Sequence, residues 1–223
     1  VYHWDFAALW EYRPLILSGI LFTLIYTVVC VVLGIAVGLV VAVGRISAHS
    51  WVRAPLRAYV ELFRCTPVLV QLVWIYYALP IVSGIEMSAT SAAVLALTLY
   101  GGSFYSEIIR GGIVSIDAGQ SEAARALGMR RLQVMRRVVL PQAFVRMLPA
   151  LMNQSIIQLK NTSLLSVLAV PDLLYQGQTI AHITYRPLEA YTMVAIAYFI
   201  VLLPATLLAR HFEDRLGGAP VHE

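Results

Sequence analysis

Charge is what this sequence has least of. Charged residues fill 13% of its 223 positions, against roughly 25% in ordinary soluble domains. With 60% hydrophobic residues and a mean hydropathy of +0.77, the chain reads as an integral membrane protein. Lysine is nearly missing: of 16 basic residues, 15 are arginine and one is Lys160. A P-loop, GxxxxGK[ST], needs a lysine after glycine to reach phosphates, whereas Lys160 follows Leu159 in an apolar stretch, so the chain cannot be its own ATPase. Cysteine stops at Cys30 and Cys65, with no CxxC or CxxH spacing, which points to packing rather than to metal or redox chemistry. His182 has no His, Cys or carboxylate at metal-ligand spacing and reads as a surface histidine. No span centre holds Asp, Glu or His. That removes the coupling residue of an ion-driven carrier and the base a serine nucleophile at Ser103 or Ser106 would need, so no catalytic residue is assigned.

What is present in quantity is apolar run. Residues 14–44, 66–85, 87–106 and 190–209 carry no charge. The first would be about 45 Å long as a helix, more than the roughly 30 Å hydrocarbon layer needs. A further segment, 147 to about 170, is interrupted by Lys160 and several amides. The count is five spans, at about 15–43, 58–82, 87–109, 144–170 and 188–209. The net charge of +4 does not imply nucleic acid, because the arginines lie beside the spans. Arg45, Arg53 and Arg57, the run from Arg110 to Arg146, and Arg210 with Arg215 fall in one set of alternating loops; the other set holds Arg13 and Arg186. The arginine-rich set is expected in the cytoplasm, with the N-terminus and the loops near Glu86 and from Asp172 to Glu189 outside and the C-terminus inside. The opening VYHWDFAALWEYRP lacks the basic n-region of a signal peptide, and its Tyr2, Trp4, Trp10 and Tyr12 suit a membrane interface.

Two stretches stand out. SEAARALGMRRLQVMRRVVLPQA (121–143) is helix-forming on both sides of Gly128, which predicts two short helices joined by a bend, the second ending at Pro141. Ala123, Ala124, Leu127, Leu132, Met135 and Val139 make a face of mostly small residues opposite the arginines, suited to close docking in a protein groove. In the fourth span Gln154, Gln158 and Asn161 recur at i, i+4 and i+7, on one helix face, flanked by Asn153 and Lys160; Ser103 adds a hydroxyl in the third. Either these line a solute path with Lys160 available to a carboxylate, or the amides bond between helices while Lys160 snorkels to an interface. A stripe without an acid favours a neutral or acidic solute. Glu107 with Arg110, and Glu61 with Arg64, stand three residues apart and read as intrahelical ion pairs.

EAARALGMRRLQVMRRVVLP resembles the EAA loop of ABC importer permeases, on Glu122, Ala123, Ala124, Gly128, Leu140 and Pro141. ELFRCTPVLVQL (61–72), EIIRGGIVSIDAGQ (107–120), LKNTSLLSV (159–167) and YRPLEAYT (185–192) look like the permeases for polar amino acids. Cys65, in place of a usual glycine, and the variant segment 101–105 are small departures. The resemblance implies an all-α integral membrane protein with the type I ABC importer fold: five transmembrane helices and a cytoplasmic coupling loop, about 115–141, within a single domain, residues 1–223. It implies a permease subunit of the bacterial inner membrane that imports polar amino acids, or a related zwitterion such as ectoine or an opine, by alternating access; the alternative is an ion-coupled secondary amino acid carrier. The implied partners are a cytoplasmic ATPase dimer bearing ATP and Mg, a second permease that is identical or a sister chain, an extracytoplasmic solute-binding protein and the lipid bilayer. Neither a cofactor or metal on this chain nor nucleic acid is implied.

Overall fold

The computed structural model describes residues 2–47 and 49–216; residues 217–223, expected on the cytoplasmic side, lie outside them. A 3-10 turn, Ala7–Tyr12, runs into α1 (Arg13–Ile46), followed by α2 (Ser50–Cys65), α3 (Val68–Ser83), α4 (Ala89–Val114), α5 (Ala118–Ala126), α6 (Arg131–Val134), a π-helical turn (Met135–Val139), α7 (Leu140–Asn161), a 3-10 turn (Thr162–Leu168), α8 (Leu173–Thr184) and α9 (Pro187–Leu216). The chain is helical between short connections, as the composition predicts.

By length and composition, the segments Ala7–Ile46, Ala89–Val114 and Pro187–Arg215 suffice to cross a bilayer, and α2 and α3 pass that test only as a pair bent by 110°, the geometry of a broken span or of a re-entrant loop. The expected second span, 58–82, is therefore broken. Thr66 precedes Pro67 and is extended, at φ −112° and ψ 143°, because a following proline disfavours the helical region. Gln71 stitches the break: its Nε2 lies 2.9 Å from the Phe63 carbonyl and 3.0 Å from that of Thr66. Arg146, Lys160 and the amides keep α7 below span-like hydropathy. It also stops at Asn161, short of the expected 170, and the chain continues as the 3-10 turn.

Packing is inverted relative to a soluble protein. The buried positions of α1 include Gly19, Thr23, Thr27, Cys30, Gly34 and Gly38, while Leu17, Leu21, Val28, Val32 and Val40 are exposed. Lipid solvates the large apolar groups, so helices gain most where small residues let backbones approach. The α1–α4 seam shows it: a Cβ on Gly38 would sit 2.6 Å from the Tyr105 Cβ, and one on Gly34 would sit 3.1 Å from its ring. Tyr105 is fully buried, and its hydroxyl reaches Ser155 of α7 at 3.0 Å, joining α1, α4 and α7 into one block.

Residues 172–189, expected as an outer loop, instead hold α8 wedged between α1 and α9. A Cβ on Gly19 would come 2.8 Å from the Leu173 Cα, and one on Gly177 would come 2.2 Å from Val194. Asp172 caps α8, accepting from Tyr175 N–H at 2.8 Å and Leu174 N–H at 3.2 Å, while the Leu173 N–H donates to Thr23 Oγ1 at 3.0 Å.

Candidate functional site

The loop between α4 and α7 is a built object. Asp117 caps α5 through the Gly119 N–H at 2.8 Å. At the other end the Met129 N–H returns to the Ala124 carbonyl at 3.2 Å and the Gly128 N–H to that of Arg125 at 2.8 Å. This is the paired bonding of a Schellman turn, which needs a left-handed residue; Gly128 supplies it at φ +81°. The expected bend at Gly128 is present. The expected end at Pro141 is not: α6, the π turn and α7 run on as one helix, with Val134, Val139 and Leu140 all in the right-handed region. Proline cannot donate, and its ring collides with the carbonyl four residues back, here that of Arg137. Widening the preceding turn relieves that collision without breaking the rod.

The face of mostly small residues expected on 123–139 divides. Ala124, Val134 and Val139 form a small core with Ile113, Ile116, Met129 and Met135 packed around it. Ala123 and Glu122 are exposed, as are Leu127 at 84% and Leu132 at 68%. Leu140 and Pro141 lie on the accessible side of the rod.

The polar stripe of α7 divides in the same way. Gln154 and Gln158 are buried against the rest of the subunit: Gln158 Nε2 donates to the Leu97 carbonyl at 2.8 Å, and its Oε1 would lie 3.1 Å from a Cβ on Gly101. Asn161 is half-buried, while Asn153 and Lys160 are exposed. Ser103 is buried and bonds its own helix, at the Tyr100 carbonyl, 2.7 Å away. Gln154 Nε2, Gln158 Oε1, Asn161 Nδ2 and, on α3, Gln71 Oε1 have no hydrogen-bond partner among the described residues. Lys160 is in no ion pair among them.

The two glutamate–arginine patterns have different fates. Glu107 takes Arg110 at 2.9 Å and also Arg45 from α1. Glu61 takes neither Arg64 nor any other cation among the described residues; its one hydrogen bond is a weak one from the Cys65 thiol at 3.8 Å. Arg64 instead lies over the Phe104 ring at 5.5 Å. Spacing suggested an anchor at Glu61, and the free carboxylate was missed; an aromatic one turn along α4 was the signal available. At the start of α9, Glu189 is fully buried and accepts from the Tyr2 hydroxyl, from the Asp5 N–H at 3.1 Å and from Arg186 at 3.1 Å. Bonding to that carboxylate pushes the Tyr2 hydroxyl above its ordinary pKa.

Comparison with known proteins adds the rest. The sequence profile of a family described as "Binding-protein-dependent transport system inner membrane component" matches residues 34–218. The glutamine transport system permease protein of Escherichia coli (strain K12) is 36% identical over 214 residues, covering 95% of this chain and 97% of that protein. The glutamate/aspartate import permease protein of Escherichia coli O157:H7 is 36% identical over 222 residues, covering 96% and 99%. Among solved structures, a chain of "an amino acid ABC transporter with histidines" matches with a TM-score of 0.90 at 38% identity, covering 96% of this chain and 100% of that one. A chain of an inward-facing methionine ABC transporter shares the fold at a TM-score of 0.74 and 24% identity, covering 91% and 96%.

Proposed function

The chain belongs to the family of binding-protein-dependent transport system inner membrane components, and from that premise we propose that it carries a polar amino acid inward by alternating access. It is a permease subunit of an ABC-type importer rather than the ATPase of one. The observation that carries the solute class is likeness along nearly the whole chain, at 36% identity, to permeases for glutamine and for glutamate and aspartate. The same likeness disfavours the ion-coupled carrier.

In this reading two permease subunits, identical or sister chains, enclose the pathway. A binding protein delivers solute at the outer face, and a cytoplasmic ATPase dimer supplies ATP and Mg chemistry. Five passages place the N-terminus outside and the arginine-rich loop in the cytoplasm, the third passage being α4 and the fourth α7 with the turn after it. Glu122, Ala123, Ala124, Gly128, Leu140 and Pro141 form the coupling region: Gly128 sets the turn, Ala124 spaces it from the rod, and Leu140 with Pro141 continue it into α7. The solute path runs past the exposed Asn153 and Lys160 and the rim amide Asn161, with Gln154 and Ser103 behind them and Gln158 fixing α7 to α4. Glu61 joins this set, because a zwitterion offers an ammonium for a free carboxylate as well as a carboxylate for Lys160.

The test is reconstitution of the full transporter in vesicles with its binding protein. ATP on the cytoplasmic side should drive accumulation of labelled glutamine or glutamate against a gradient, and collapse of the ion gradients should leave it intact. Uptake that needs no ATP and stops with an ionophore would overturn the importer reading.

A further inference from the structure

We propose that Pro141 and Gln142 are positioning residues of the transport cycle: they hold one extra residue in the π turn, and that residue sets the rotational phase between α6 and α7. The proposal rests on the importer reading above and says how loop and span are kept in step.

Burial along the rod counts out the extra residue. Val139 and Ala143 are buried four residues apart, and Met147 follows four later against Gly112; about 40° separates such neighbours in an α-helix. Val134 is buried in the same small core as Val139 but stands five residues before it. Five α-helical residues turn through about 500°, which would leave Val134 about 140° from Val139. The hydrogen bond from the Leu140 N–H to the Met135 carbonyl, five residues back, removes that difference, because a π turn brings the fifth residue round to the starting face. Counted back from Val139 at α-helical spacing, Arg136 and Leu132 would take the inward face, and both are exposed.

Two neighbouring side chains maintain the turn. Pro141 has no N–H for the Arg137 carbonyl, and its ring needs the room that an α-helical turn would close. Gln142 serves the next carbonyl: its Nε2 donates to that of Val138 at 2.9 Å, from a half-buried side chain. π turns are rare and concentrate at functional sites. Closing this one would roll residues 131–134 by about 100° around the rod, bringing Arg136 toward α4 and swinging Val134 out. The same displacement of the loop would then push α7 in another direction.

The experiment uses the complete transporter in lipid vesicles and reads phase and coupling separately. Phase is read by introducing Val134→Cys or Arg136→Cys and treating with a water-soluble maleimide, followed peptide by peptide: with the native turn, position 136 should label and 134 should not. Pro141→Ala should reverse that pattern and lower the solute taken up per ATP hydrolysed by about tenfold, the size of an ordinary coupling between sites. Deleting Arg137 in the Pro141→Ala chain puts Val134 four residues from Val139 in an unbroken α-helix, and should restore both readouts. A proline needed only for folding would not be rescued by shortening the helix. Gln142→Leu, which loses one hydrogen bond and keeps the proline, should lower the same ratio by about fivefold, and it carries the test if Pro141→Ala does not assemble. A wild-type ratio in Pro141→Ala, whatever its labelling, would overturn the proposal and leave the importer standing. So would failure of the deletion to restore the ratio, or a wild-type ratio in Gln142→Leu. Uptake by the wild-type chain that needs no ATP would instead remove the importer reading, and the labelling would still report the phase.

Discussion

The C-terminal ends of α4 and of α2 carry the same local pattern, a glutamate followed three residues later by an arginine, and they treat it in opposite ways. At α4, Arg45 arrives from α1 with a side chain only 9% exposed, and Glu107 bridges it to Arg110. At α2, Phe104 draws Arg64 over its ring and Glu61 is left free. Spacing on one helix creates an opportunity at each place, but the neighbouring helix decides whether it is used. The filled site ties helices together, and the vacant one leaves a carboxylate with no cation among the described residues.

That contrast can be broken or sharpened by three substitutions. The largest effect belongs to Glu107→Gln, which strands Arg45 in a nearly buried position; removing one partner of such a pair should cost about 3 kcal/mol, read as a lower midpoint of thermal unfolding in detergent. Retention of the wild-type midpoint would mean that the pair at α4 is as dispensable as the one α2 never forms. Glu61→Gln comes next and acts on another readout. Stability should be unchanged, while uptake of a zwitterion falls by about tenfold, the loss of one charge-assisted hydrogen bond. A variant that transports normally would make Glu61 a bystander. The smallest effect is that of Arg64→Gln, which removes a partly exposed cation–π contact and should shift stability by less than about 1 kcal/mol.

Much of the architecture was legible in the sequence because lipid makes long charge-free runs unambiguous: α1, α4 and α9 stand where residues 14–44, 87–106 and 190–209 predict them. The breaks were harder. Pro67 did announce a stop, but Pro141 announces one too and the helix continues, because a single widened turn accommodates the ring. Residues 172–189 looked like a loop since Asp172, the glutamines and His182 dilute their hydropathy. What holds α8 in place is a pair of glycine notches at Gly19 and Gly177, and a notch has no signature in composition. Within the candidate site, periodicity found the amide face of α7 but could not say which way it points. Gln158 turns to the Leu97 carbonyl, leaving Asn153 and Lys160 outermost. The expected single face puts Leu127 and Leu132 with Ala124 because all suit a helix; the left-handed residue at 128 separates that face in three dimensions.

The helix from Arg131 through the π turn to Asn161 has one further property. Its upper part lies clamped to α4, from Gly112, where a Cβ would meet Met147 at 3.0 Å, up to the Gln158 bond at Leu97, and α4 is in turn keyed to α1 by Tyr105. Below that clamp, residues 131–143 extend the rod by about 18 Å at 1.5 Å per residue, and there Val134 and Val139 pack with Ile113 and Ile116. Such a part is the bow of a key whose blade is the α1–α4–α7 block. The π turn at Met135–Val139 and Pro149 are the two places along it where a torque applied at the tip is taken up as bending; elsewhere the torque passes to the block.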